Sequence, residues 1–392
     1  MNLRNDFQIS FLFVLTIMSF SVDVSYPINV FQLPPKSMTD NLFIDSIKKC
    51  LNNQINKSYL PTNTADAEQH FSELNKEFSK YFDLKRPPYN TCSGPFLENE
   101  FIKRYKNKPL SYFSPFIPLF VPWFTIWKVS EHTYSKITDI ILSKLKPDYL
   151  YFVLSESDFG FTGHDMRKLD KTFPNIFVFS ASGMGHVAIP WLQCNYKPPS
   201  KNHNIKLNIN LNDLNDQTNN YQLNKNIFNK EYFLSFCGNP RSSGERKETL
   251  QMTRSLLGPL FFEYRDDNWE EIVHKSLFVL SPRGIAVATY RTFEVIQMEA
   301  IPVIFTDHVH WLPYFPKLNW SKFSILTNVH EFPRTSLRLR FMRPFDIAEM
   351  KNELHRVNKE FFQWNGFFKQ LDDFFSGKEH YFSCSKAFLT HP

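Results

Sequence analysis

Short apolar runs constrain this chain more than any other feature. Tyr149–Leu154 and Ile176–Phe179 are uninterrupted, and Tyr232–Phe236, Leu277–Leu280 and Ile301–Phe305 follow them in the second half. A strand wetted on one face alternates polar with apolar residues, so runs without alternation predict strands covered on both faces, as in a parallel sheet. Helical patterns separate the runs. Over 131–145 the 3.6-residue period sets Ile137, Ile140, Ile141 and Leu145 on one face, and further helices are expected over 40–52, 65–82, 246–257, 291–300 and within 346–375. Strands alternating with helices predict an α/β chain, and two such sets predict two halves facing a cleft.

The chain's 392 residues exceed the roughly 100–200 of one domain, which agrees with two. A polar stretch rich in Asn and Lys, 197–230, is the expected linker between residues 26–196 and 231–345. Residues 346–392 form a tail, expected to be helical and to pack through Phe361, Phe362 and Trp364. A hydrophobic content of 42% and an aromatic content of 17% exclude wholesale disorder. A net charge of +6 permits an anionic ligand, but the basic residues are too dispersed for a nucleic-acid binder. Only 11 glycines and no repeat of 20–50 residues argue against a propeller or solenoid.

Residues 1–25 read as a targeting segment. Phe11–Phe20 is an uncharged run after Arg4, with the length of a signal-peptide core and small residues at Ser19 and Ser21 suited to cleavage. An uncleaved anchor with its N-terminus in the cytoplasm fits the same charge pattern. Either alternative implies the secretory pathway, as does the sequon Asn56-Lys57-Ser58; a second, Asn319-Trp320-Ser321, has apolar neighbours that suggest burial. Five cysteines without a CxxC pair predict one or two disulfides and a free thiol rather than a zinc site. The apolar stretch Leu110–Trp127 imitates a membrane span, but Pro115, Pro118 and Pro122 would leave backbone groups unpaired in lipid. It is expected to be core, with Leu119–Val121 as an inner strand.

Chemistry concentrates between Ser276 and Asp307: a strand, a Pro282-Arg283-Gly284 loop, a helix opening at Thr289–Glu294, and the strand Ile301–Phe305. That length suits a right-handed crossover, whose ligand end is the carboxyl end of its strands. Gly284 permits close backbone approach, the free N–H groups of the helix start favour an anion, and Arg283 and Arg291 offer forks for phosphate oxygens. Glu294 would repel phosphate and suits a neutral diol such as a ribose. An anion site beside a diol acceptor predicts a nucleotide.

Ser276, Phe278, Leu280, Pro282, Gly284, Arg291, Glu294, Ile301-Pro302-Val303, Leu312-Pro313 and Trp320 resemble the nucleotide-binding half of the exostosin family of glycosyltransferases. Upstream, Val30–Pro35, Leu119–Phe124, Asp148–Val153 and Ser157–Gly160 resemble further family segments in the right order, so the likeness covers about 28–340. The resemblance implies two Rossmann-like domains of GT-B type, and transfer of a sugar from a nucleotide sugar, usually a UDP-sugar, to a glycan acceptor with inversion. It implies a hexosyl- or pentosyltransferase on the Golgi membrane or in its lumen, as a single-anchor or soluble protein, alone or as a homo- or hetero-oligomer. Arg291 and Glu294 match the family's donor-binding pair, and Arg246 a basic position after the first C-terminal strand; with Arg283 and Gly284 they form the expected donor site. Asp158 is the expected catalytic base, with His186 behind it. Arginines supply the positive charge, so no cofactor or metal is required, and no Asp-x-Asp clamp occurs; Asp266-Asp267-Asn268 and the His308/His310 pair are the nearest metal-like features. The alternative is a non-catalytic secretory protein of the same fold that binds glycan or nucleotide.

Overall fold

The computed structural model describes residues 30–36, 40–51, 65–82, 84, 96–158, 175–192, 228–264, 269–306 and 311–385. The expected targeting segment, most of the expected linker, Asp266–Asn268, the His308/His310 pair, Cys92, Cys194 and the Asn56 sequon lie outside them.

Two sheets carry the chain. The first has six strands in the order β1 (Val30–Gln32), β11 (Ser383–Ser385), β5 (Val187–Ala188), β4 (Ile176–Ser180), β3 (Leu150–Ser155) and β2 (Phe116–Pro118). Strands β2 to β5 are mutually parallel, with Val153 opposite Val178, while β11 runs antiparallel to both its neighbours. The second sheet is parallel throughout, ordered β10 (Ile325–Thr327), β9 (Ile301–Phe305), β8 (Ser276–Ser281), β6 (Tyr232–Cys237) and β7 (Phe261–Tyr264). All five apolar runs are thus strands, and β3, β4, β8 and β9 are buried along their whole length, as their lack of alternation predicts.

Helices cover both sheets. In the first lobe they are α1 (Asp40–Cys50), α2 (Ala65–Phe78), α3 (Leu97–Tyr105), α4 (Leu110–Phe113), α5 (Trp123–Val129) and α6 (Glu131–Lys144). In the second they are α7 (Gly244–Leu257), α8 (Trp269–Lys275), α9 (Tyr290–Gln297) and α10 (Phe332–Arg340), followed by α11 (Pro344–Val357), a π turn at Asn358–Phe362 and α12 (Trp364–Phe375). Helix α9 ends three residues before the expected 300. Glu299, at φ 58°, takes the left-handed position usually given to glycine, and the Ala300 N–H closes on the Val295 carbonyl at 3.1 Å.

The 110–127 stretch is core, and no helix among the described residues is long and apolar enough to cross a membrane. Its strand falls at 116–118 rather than at 119–121. The ladder ends where Leu119 donates to the Phe152 carbonyl; Val121 then turns back onto Leu119, and Pro122 has no N–H with which to continue. The tail departs from its all-helical expectation at its end. After α12 lays Phe374 and Phe375 against Phe152 and Phe179 of the first sheet, with ring centroids about 5 Å apart, the chain enters that sheet as β11. A Cys50–Cys384 disulfide ties β11 to α1, and Cys237 is free and buried, in line with the expected disulfide and thiol.

Candidate active site

In the second sheet the chain goes from β6 to β7 on one side and then to β8 on the other. The crevice where direction reverses, beyond the carboxyl ends of β6 and β8, is where open α/β sheets hold ligands. A cleft of about 880 Å³ opens there, lined by the 237–242 loop, the 284–291 loop and helix start, Trp269 and Glu294, and from the first lobe by Asp158 and Trp191.

Helix α9 supplies two of the expected donor residues. Thr289 stands at its N-cap with extended backbone, and one turn separates Arg291 from Glu294 on the face toward the cleft. The Arg291 guanidinium lies 3.8 Å from the Trp269 ring centroid, and its Nη1 is 3.2 Å from Glu294 Oε2. Stacking fixes the plane of the fork and leaves its edge for an oxyanion. Arg291 Nε is buried without a hydrogen-bond partner among the described residues. Glu294 is 7% exposed and lines the cleft rather than the apolar interior.

Arg246 serves differently from the donor contact expected of it. Ser243 caps α7 by accepting the Arg246 N–H at 3.1 Å. From that first turn the side chain donates to three carbonyls: Nε to Arg283 at 3.0 Å, Nη1 to Asn239 at 3.1 Å and Nη2 to Pro282 at 3.0 Å. One guanidinium therefore pins together the two loops that form the cleft's floor. Burial, with Arg291 nearby, lowers its pKa to about 10, so it stays charged at neutral pH. Gly284 is where this packing needs a missing side chain, because a Cβ there would stand 3.3 Å from Arg246 Nη2.

Arg283 is not brought to the cleft. Its Nε pairs with Glu245 Oε2 at 3.1 Å and its Nη2 donates to the Ile285 carbonyl. The side chain leans onto the first turn of α7, where Glu245 sits favourably near the helix start and draws it away. His186 is also elsewhere. Its Nδ1 accepts the Val178 N–H at 3.1 Å, its ring stacks on Phe177, and its carbonyl accepts the Ser385 N–H. It secures the β4–β5 turn and β11, and does not line the cleft.

Asp158 follows β3 and reaches the cleft from the first lobe. Burial raises its pKa to about 6, with Lys128 of α5 pulling in the other direction. A carboxylate tuned toward neutrality on a cleft wall suits proton abstraction. Across the same cleft Trp191 meets Tyr290 at 4.1 Å between ring centroids. Sequence reading missed Trp269, Trp191 and Tyr290. No local pattern marks them, because the loops and sheets that converge here are far apart in the chain. No group of three or more metal-ligating side chains occurs among the described residues.

Comparison with known proteins bears on the second lobe. Residues 195–340 match the model of the Exostosin GT47 domain. Two Arabidopsis thaliana proteins, "Probable glycosyltransferase At5g25310" and "Probable glycosyltransferase At3g07620", are 33% and 31% identical over 94 residues, covering 24% and 22% of this chain. Exostosin-1 of Bos taurus is 22% identical over 111 residues, 28% of this chain. The chain spans 19%, 20% and 14% of those relatives' own lengths. Among solved structures, TarM aligns at a TM-score of 0.31 and 14% identity over 61% of this chain and 46% of its own, too distant to carry the fold, which rests on the sheets described above. The likeness read from the motifs between Ser276 and Trp320 is borne out: residues 195–340 match the exostosin family over the lobe that holds Arg246, Arg291 and Glu294.

Proposed function

We propose that this protein is a glycosyltransferase that moves a sugar from a nucleotide sugar, of the UDP class, to a glycan acceptor with inversion. The observation that carries the reading is one cleft bearing Arg291 and Glu294 on one lobe and Asp158 on the other. The α9 N-terminus and Arg291 stabilise the diphosphate as negative charge develops on it, and electrostatic stabilisation of this kind is often the largest catalytic contribution. Glu294 accepts hydrogen bonds from the ribose hydroxyls and, through its ion pair, steadies Arg291. Asp158 takes the proton from the acceptor hydroxyl as its oxygen attacks the anomeric carbon from the face opposite the leaving diphosphate. Arg246 holds the loops rather than the ligand. With guanidinium charge at the diphosphate, the scheme calls for no divalent cation. The Cys50–Cys384 disulfide supports a secretory location, where thiols oxidise, and with the N-terminal apolar run it supports a luminal or type II Golgi protein.

A thermal-shift screen against UDP, GDP and CMP sugars tests the donor class, since a ligand that binds only the native state raises the melting temperature. Glu294→Ala is expected to weaken UDP binding tenfold or more by calorimetry. Asp158→Asn is expected to leave UDP binding within twofold and cut UDP release from the donor at least a hundredfold. Release that survives both changes refutes the site.

A further inference from the structure

The first lobe contains a buried acid that the scheme above does not use. Glu98 of α3 is 1% exposed. Its Oε1 accepts the Glu156 N–H at 2.7 Å, and its Oε2 accepts the Phe124 N–H at 2.7 Å. Glu156, itself fully buried, turns its own Oε2 back to the Leu97 N–H at 2.6 Å, so the two acids clasp α3 and the end of β3 reciprocally. Ser155 also hydrogen-bonds Glu98 through its side chain.

The position of these contacts gives them meaning. Glu156 is two residues before Asp158, and Phe124 is one helical turn before Lys128. Lys128 is the charged group that acts on the Asp158 carboxyl, and Asp158 acts in return on Lys128. One carboxyl group therefore holds the backbone of both elements whose side chains interact at the cleft. A helix start could be capped by a surface serine or threonine at far lower desolvation cost. Burial pushes the Glu98 carboxyl up, against the pull of its two backbone donors and Ser155, so the molecule keeps a costly group here.

We propose that Glu98 is a positioning residue, whose two oxygens fix the Asp158 loop against the Lys128 helix and thereby set the protonation of the base. The inference rests on the reading of Asp158 as the base, and the experiment separates the two. Glu98→Gln preserves volume but presents an NH2 group to a backbone N–H, which releases one of the two elements. Full-length wild type, Glu98→Gln, Glu156→Gln and Asp158→Asn are compared by UDP release from the UDP-sugar that gives the largest thermal shift, across pH 5 to 9. UDP affinity is measured in parallel.

In wild type the acidic limb of kcat/KM is expected near pH 6. In Glu98→Gln, Lys128 pulls less on Asp158, so the limb should move up by at least half a pH unit and kcat/KM fall tenfold or more. UDP affinity should change by less than twofold. Glu156→Gln should melt earlier through loss of the α3 cap but leave the limb in place, which a purely structural role for both acids would not produce. An unmoved limb in Glu98→Gln, alongside an inactive Asp158→Asn, overturns the positioning role and leaves the base standing. Activity in Asp158→Asn overturns both. If Glu98→Gln does not fold, Glu98→Asp, which keeps both oxygens but withdraws them by one methylene, must shift the limb in the same direction or the inference fails.

Discussion

At Arg246 three carbonyl oxygens, from Asn239, Pro282 and Arg283, converge on one guanidinium. A lysine keeps the charge, but a single ammonium cannot meet three acceptors spread around a planar fork. Arg246→Lys is therefore expected to lose about 2–4 kcal/mol of stability through strained or unpaired buried carbonyls. It should also weaken UDP binding, because the loops at the cleft floor drift apart; urea denaturation and calorimetry measure the two effects. A donor-contact role alone would leave the denaturation midpoint unmoved. The same residue shows the limit of sequence reading. Residue type and position in the crossover identified Arg283 and Arg291, the family resemblance added Arg246, and all three do lie around one pair of loops. Which of them faces the ligand depends on Glu245, Trp269 and the Asn239 carbonyl, and those partners are joined by tertiary packing rather than by spacing.

Among the elements, the central strands were legible because burial on both faces leaves no polar register to disguise them; β3, β4, β8 and β9 fall within a residue or so of their apolar runs. The edge at β2 was less so, since three prolines leave the ladder to choose among overlapping apolar triplets. Strand β11 was not legible at all: Ser383-Cys384-Ser385 is too short and too small-chained to signal a strand, and its place follows from α12 and from Cys50. This strand separates β1 from β5, so its retention decides whether β1 stays on the sheet. The disulfide closes a loop spanning 334 residues, for which chain-entropy scaling gives roughly 5–6 kcal/mol. A Cys50→Ser/Cys384→Ser double variant should accordingly lower the urea midpoint. Exchange protection should fall first at Val30–Gln32 and Ser383–Ser385, while β8 and β9 stay protected. Uniform loss of protection in both sheets would show instead that β11 is not a separately tethered edge.

For the molecule as a whole, the matched region 195–340 stops just before the segment that returns to the first lobe. From Pro344 onward, α11 and the π turn pack under the second sheet's helices, with Gln297 donating to the Phe362 carbonyl, before α12 and β11 complete the first lobe. Trp311 of the second lobe donates to the Ser180 carbonyl of the first, and Tyr314 meets Phe382 at 5.5 Å between ring centroids. One connected cluster of buried apolar side chains runs through both lobes, with a smaller separate one around Val273, Val279 and Val295 on the second sheet. Two lobes joined only by a linker would unfold independently, and a nucleotide held mainly by the second would raise only that lobe's transition. A shared core with a returning C-terminal segment predicts one cooperative transition, because exposing either lobe strips apolar surface from the other. Scanning calorimetry should then show a single endotherm whose calorimetric and van't Hoff enthalpies agree, and saturating UDP should shift all of it upward. Two resolved endotherms, with UDP moving only one, would mean that the lobes are coupled by their linker alone. The cleft would then be a hinge between independent folds rather than a crevice cut into one.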